Sequence, residues 1–419
     1  MTSSAPIGRS KWMLLAFLCG IFVTYTVDRA LLGLLAIPIQ EETGLSNVKF
    51  GVLSSAIFWT YALAVPFAGL AGDRFNRVRL IGFAAMAWSA MTFLAGFAGG
   101  FWSLLVLVSF AVVVPQTIYS PTASALIASV HTETRTIAMS CHQAAYYTGW
   151  FLSGGAVAAV LSVFGSWRAA FFSMGAIGFV IGAAFLLFAG RQTSRTSQTS
   201  QTSQSRPLSF RDSLKAFFGC PSALLAGVGY VTEVFVGYGY SAWGPKFIAT
   251  KFELTAAKAG SGVMFWHYAA SFAAILVAGF LTDVFVKRHP RFRLVLSMSA
   301  MAVAVPALLM FAKGSALPVV WTGAALLGAM LGVIGANQFT NLFDVIPSAY
   351  RAGSIGFLNV IAGLVGSLAP LFLGWLSQTR GIAGFETGFV FMGAVQAVSI
   401  AALAVSFLFT FRRDRLPGA

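Results

Sequence analysis

Long apolar runs, each able to cross a bilayer, leave this chain little freedom in how it folds. Twelve are read at residues 12–37, 48–72, 79–98, 101–128, 137–164, 168–190, 219–247, 257–283, 292–312, 316–344, 352–377 and 385–410. A helix needs about 20 apolar residues to cross a hydrocarbon core. Lipid offers no hydrogen-bond partners, so such segments must satisfy their backbones internally, as helices. Charged residues make up 9% of the chain, against about 25% in soluble proteins. The expectation is an all-α membrane protein. The first run is too long for the apolar region of a signal peptide and has no small-residue cleavage site after it, so it reads as a retained helix.

The net charge of +15 raises the possibility of a nucleic-acid partner. Its distribution excludes that reading. Lysine and arginine crowd alternate loops, as at Arg74, Arg77, Arg79, Arg135, Arg288, Arg291 and Arg293, and are sparse in the others, as at Lys49 and Arg168. Basic loops stay in the cytoplasm, which predicts that both termini lie there; the expected location is the plasma membrane, a bacterial inner membrane. The three cysteines and four histidines form neither a disulfide framework nor a cluster with metal spacing, so no metal or cofactor is expected.

Composition changes between the sixth and seventh runs. Residues 191–206, reading RQTSRTSQTSQTSQSR, lack the apolar residues a core requires. The expected organisation is a six-helix half at 1–190, a cytoplasmic linker at 191–217 and a second half at 218–419. Within the linker, Ser209 to Phe218 reads as a short amphipathic surface helix. The halves echo each other. Gly69, Asp73, Arg74 and Arg77 follow the second run, and Gly279 and Asp283 follow the eighth with Lys287 and Arg288. Two pseudo-symmetric six-helix halves with matching loops imply a substrate site between parallel repeats. Gly178/Gly182 and Gly328/Gly332 have the spacing that lets helices approach closely. Gly366, Pro370 and Gly374 predict a bend in the eleventh run.

Polar side chains inside apolar runs mark function by default. Tyr25, Asp28 and Arg29 stand at i, i+3 and i+4, which predicts one shared face. Arg29 would bind an anion and Asp28 would carry a proton. Glu233, near the middle of the seventh run, is a second proton-coupling candidate. His142, Gln143 and Tyr146 predict a polar arc on the fifth run, with His267 in the eighth. Asn337, Asn341 and Asn359 offer donors and acceptors to a substrate.

The loop motif Gly69-x-x-x-Asp73-Arg74-x-x-Arg77 resembles the signature of the major facilitator superfamily, and the resemblance covers nearly the whole chain. It implies twelve helices in two halves, with Gly69, Asp73, Arg74, Arg77 and Asp283 acting as cytoplasmic gates. Four segments are most similar to the anion:cation symporters of that superfamily. They are Tyr25-Thr-Val-Asp28-Arg29, Ser54 through Tyr61, Gly237-Tyr238 through Pro245, and Ile346 through Asn359. The resemblance implies proton- or sodium-driven uptake of a small organic anion, a carboxylate or sugar acid, by alternating access. It adds Tyr61, Gln116, Tyr119 and Tyr238 to the expected substrate contacts. The fourth helix departs from the pattern, because Gln116 stands where such transporters often carry a glutamate. Gln116 cannot titrate, which leaves substrate contact as its role.

A rival within the same fold is a spinster-like exporter of lysolipids or sphingolipids, which Gly72 through Arg77 and Tyr119-Ser120 also resemble. An enzyme is not expected, since His142 and His267 have no partner at useful spacing. The expected partners are the anion, the coupling ion and the bilayer, with the chain a monomer.

Overall fold

The computed structural model describes residues 7–193, 210–286, 288–289 and 291–416. Side chains at 7–10, 69, 70, 73, 136, 190–193 and 210 lie outside the described residues. Residues 194–209, most of the expected linker, also lie outside them. Among the described residues, 12 helices are long and apolar enough to cross a membrane. Spans 1 to 6 are Lys11–Leu34, Asn47–Ala68, Arg77–Ala95, Phe101–Val130, Ile137–Phe164 and Trp167–Ala189. Spans 7 to 12 are Pro221–Lys251, Ala256–Phe285, Phe292–Lys313, Leu317–Phe343, Ser348–Arg380 and Ile382–Asp414.

The helices form two compact units. One holds the chain through Leu45 and from Ala56 through span 6. The other holds Ser46–Ser55 and everything from the short helix Phe210–Phe218 onward. The start of span 2 therefore belongs with the second unit, a division that reading the halves in chain order does not anticipate. Asn47 explains it: its backbone N–H donates to Gln378 at 2.8 Å, and its side-chain oxygen accepts from Lys246 at 2.7 Å. The Ser55 hydroxyl donates to the Ser367 carbonyl at 2.5 Å, and Phe50 packs on Trp243.

In the first unit, span 3 and span 6 pack so closely that glycine is required. A Cβ at Gly175 would collide with the Phe93 backbone, and one at Gly178 with the Ser89 hydroxyl. Trp88, Tyr119, Ile81 and Phe185 are fully buried in the core beside them. A short helix, Ala36–Thr43, follows span 1 and ends at Gly44 in the left-handed conformation that favours glycine. Glu42 ties it down. The Arg168 guanidinium donates to Glu42 at 2.6 and 3.1 Å, and the Trp167 indole donates to it at 2.5 Å. The hydrogen bond from Arg168, then that from Trp167, holds the Glu42 carboxyl below the usual carboxylate range.

In the second unit, span 10 lies against span 8 through Gly328 and Gly332. Side chains there would fall on the His267 and Ser271 carbonyls. The Ser271 hydroxyl bonds Gly328 across the contact at 2.7 Å. Arg293 donates to both carboxylate oxygens of Asp344 at 2.7 Å, and Glu386 accepts from Lys251 and Lys313 at 2.8 and 2.7 Å. Span 11 breaks at Ser367 into helices Arg351–Gly366 and Leu368–Arg380. Pro370 has no N–H to continue the ladder there, which accounts for the predicted bend. Span 4 widens into a π-helical stretch over Leu105–Val112, which contains no proline or glycine of its own.

Candidate functional site

Arg29 lies half-buried in span 1, five residues before its end at Leu34. Its Nη1 donates to the Tyr25 hydroxyl at 2.7 Å, one helical turn back. Its guanidinium carbon stands 4.3 Å from the centre of the Tyr61 ring, 5.4 Å from Tyr25 and 5.9 Å from Phe58. Ring faces are negative, so each attracts the guanidinium, and more strongly away from water. Tyr61 and Phe58 come from span 2, which packs two rings against the cation.

Asp28 takes a different direction. Its carboxylate lies 3.4 Å from the Thr92 hydroxyl of span 3, with the Trp88 indole alongside. Adjacent helical residues are about 100° apart, so the face expected for Tyr25, Asp28 and Arg29 divides. Tyr25 and Arg29 stay together, and Asp28 turns into the bundle. Tyr25 itself is buried against Phe22, Trp88 and Tyr119.

A second polar group lies along the same helix. The Tyr119 hydroxyl of span 4 donates to the Leu18 carbonyl at 2.5 Å and stands 2.9 Å from His142 Nε2 of span 5. The imidazole stacks on Phe22 at 4.4 Å. Tyr119 can serve both neighbours if it donates to Leu18 and accepts from His142, which puts a hydrogen on Nε2. Tyr146 also packs on Phe22, one turn beyond His142, whereas Gln143 is exposed and outside that group. Gln116 is 1% exposed, and neither end of its amide finds a hydrogen-bond partner among the described residues. Burying such an amide costs about 1–3 kcal/mol on mutational scales unless something pairs with it.

In the second unit, Glu233 and His267 border one small cavity together with Val236, Tyr240, Leu327 and Met330. The cavity has room for about one water. Tyr240 stacks on His267 at 4.4 Å and donates to the Val263 carbonyl at 3.1 Å. The asparagines divide by role. Asn337 accepts from Thr282 at 2.9 Å and donates to the Val333 carbonyl at 3.0 Å, so it ties span 10 to span 8. Asn359 accepts from Tyr230 at 2.7 Å, and Asn341 donates to Ser297 at 3.3 Å while its oxygen has no hydrogen-bond partner among the described residues. Tyr238 is half-buried on span 7.

Of the expected gate residues, the side chains of Gly69 and Asp73 lie outside the described residues. Arg74 and Asp283 are exposed and Arg77 is half-buried. Asn76, between the two arginines, caps span 3 by accepting from the Arg79 N–H at 3.1 Å. Sequence reasoning used Arg293 only for topology and did not single out its partner Asp344. An aspartate closing one apolar run and an arginine opening another were the available signals.

Comparisons with known proteins agree with this architecture. The profile of the Major Facilitator Superfamily matches residues 17–370. A cis,cis-muconate transport protein of Acinetobacter baylyi is 27% identical over 93% of this chain and 92% of its own. A probable sulfoacetate transporter of Cupriavidus necator is 25% identical over 96% of this chain and 95% of its own. Among solved structures, a bacterial homologue of the human lysosomal transporter Spinster superposes with a TM-score of 0.84 at 21% identity, over the full length of both chains. The matching family model and these relatives are transporters, so the chain is a membrane transporter rather than an enzyme. This chain belongs to the Major Facilitator Superfamily.

Proposed function

We propose that the protein is a proton-coupled symporter of a small organic anion, a carboxylate or sugar acid, resident in a bacterial inner membrane with both termini cytoplasmic. The observation that carries this is Arg29, a guanidinium placed inside span 1 among the rings of Tyr25, Tyr61 and Phe58. An arginine within a span costs up to about 2.5–3.5 kcal/mol on insertion scales, the full figure applying at the helix centre. An anionic cargo gives that charge a purpose. The named substrates of the two long relatives, muconate and sulfoacetate, both carry a carboxylate.

In this reading Arg29 presents its planar fork to the carboxylate, a charge-assisted and geometrically selective contact. Tyr25 fixes the fork by accepting one of its N–H groups. Gln116 supplies an amide to the cargo's remaining oxygens. Asp28 and Glu233 take up the coupling proton, which lowers the net charge that must cross. Access to the loaded site then alternates between the two sides of the membrane, with the loops that carry Arg74, Arg77 and Asp283 gating the cytoplasmic side.

The test is uptake of labelled cis,cis-muconate and sulfoacetate into proteoliposomes, with an inward pH gradient, a sodium gradient or neither. Accumulation stimulated by the pH gradient is expected. Movement of a labelled lysophospholipid without uptake of either anion would replace this function by the amphiphile-exporting one.

A further inference from the structure

The surroundings of Arg29 are aromatic on two helices, and the walls of a site decide which cargo suits it. Phe58 and Tyr61 stand three residues apart on span 2, and both reach the same guanidinium. They therefore share one face of that helix. Their ring centres lie 5.9 and 4.3 Å from the guanidinium carbon, and Tyr25 adds a third ring at 5.4 Å. All four residues belong to the first unit.

The rings differ in how they are held. Tyr25 is 3% exposed, wedged against Phe22, Trp88 and Tyr119, and its hydroxyl accepts from Arg29 Nη1 at 2.7 Å. It fixes the cation from inside the bundle. Phe58 and Tyr61 are half-buried, as is Arg29 itself. The side of the cage still open to contact is therefore the span 2 side, and it is lined by ring.

A ring attracts a guanidinium through its π face and takes up none of its N–H groups in doing so. A carboxylate meets those N–H groups edge-on, in the guanidinium plane. The next carbon of the cargo then lies in that plane as well. In a conjugated acid the double bonds continue the plane, so the chain stays flat beside the rings that flank the cation. In a saturated acid the first tetrahedral carbon turns the chain out of it. In a sugar acid that carbon also carries a hydroxyl, which finds no good acceptor on a ring and is costly to bury without one. Asp28 offers it none, because its carboxylate turns to Thr92 on span 3 at 3.4 Å.

We propose that this site selects flat, conjugated carboxylates over saturated and polyhydroxy ones, with Phe58 and Tyr61 as the selecting residues. The selection narrows the cargo within the organic-anion reading and rests on that reading. It also gives Phe58, which has no polar group of its own, a part in recognition.

Three dicarboxylates equal in carbon count and charge test it on the purified full-length protein. They are cis,cis-muconate, which is conjugated, adipate, which is saturated, and galactarate, which carries a hydroxyl on every inner carbon. A stacked π contact is worth about twofold to tenfold in affinity, so titration calorimetry should place muconate above adipate by about that factor, with galactarate last. Tyr61→Leu and Phe58→Leu each remove one ring and should bring the muconate-to-adipate ratio towards unity, whereas Tyr61→Phe keeps the ring and the preference. Rigidity of the diene does not imitate this result, because it stays with the ligand when the ring is gone. The wild type supplies a second reading free of any variant. Proton NMR of muconate exchanging with the protein should show its vinyl signals moved upfield by the ring faces. Muconate bound no more tightly than adipate or galactarate, a preference that survives both leucine variants, or vinyl signals that do not move would each overturn the selection. If Arg29→Lys still weakens the acids in that case, the organic-anion reading stands without it. Failure of the wild type to bind any of the three would remove that reading and the selection together.

Discussion

At the scale of single residues, the cation at Arg29 is positioned by its own helix and by one neighbour. Tyr25 contributes a phenol oxygen 2.7 Å from Nη1, and Tyr61 contributes a ring face. Replacing Tyr25 by Phe keeps the ring and removes the oxygen. A hydrogen bond to a charged group is worth about 1.5–3 kcal/mol, so anion affinity should fall roughly tenfold to a hundredfold. Titration calorimetry with cis,cis-muconate reads this directly, and unchanged affinity would show that the phenol does not orient the fork. The sequence made the residue types plain, because a charge inside an apolar run stands out. It did not show that Asp28 turns towards Thr92 while Arg29 stays with Tyr61. That division depends on which helices flank span 1, and the spacing of polar residues along one chain carries no such information. Asn337 illustrates the same gap: it reads as a substrate contact, yet both ends of its amide are used within the bundle.

At the scale of helices, close packing sets the positions of the polar groups. Span 10 can hold His267 only because Gly328 lets the two backbones approach. Gly328→Ala forces a methyl onto a carbonyl, an overpacking that typically costs about 1–3 kcal/mol. A lowered melting temperature in detergent is expected for it, whereas Gly279→Ala, which meets nothing within 4 Å, should not lower it. The short helix Ala36–Thr43 gives a pH prediction. The carboxyl of Glu42 titrates lower in the folded protein than in the unfolded chain, where about 4.3 is usual. Its contribution is therefore fully present above that value and is lost as pH falls through the folded one. Fluorescence of Trp167 should report the loss in acid, and Glu42→Gln should remove the acid transition; a transition unchanged in that variant would place its origin elsewhere. Helix number and the bend of span 11 were legible, since apolar length and a proline report them. The π-helical stretch at Leu105–Val112 was not, because its residues Leu, Val, Ser, Phe and Ala suit an ordinary helix equally well.

At the scale of the whole molecule, the repeated loop motifs pointed to two halves, and the structure has two compact units. The exception is instructive: Ser46–Ser55 sits with the second unit because Asn47 and Ser55 bond to Gln378, Lys246 and Ser367. Contacts over such distances in the chain have no local signature. A coupled transporter also makes a prediction of its own, that a protonophore should abolish accumulation of the anion without abolishing its exchange across the membrane. Accumulation that survives the protonophore in sodium-free buffer would exclude a proton as the driving ion. The claim on which the account depends is nevertheless a single contact, the carboxylate of the cargo on the guanidinium of Arg29. It is tested most directly by binding of cis,cis-muconate and sulfoacetate to purified wild type and Arg29→Lys. Lysine keeps the charge and loses the fork, so affinity should fall at least about tenfold, the equivalent of 1.4 kcal/mol. Equal affinity in the two proteins would contradict the account.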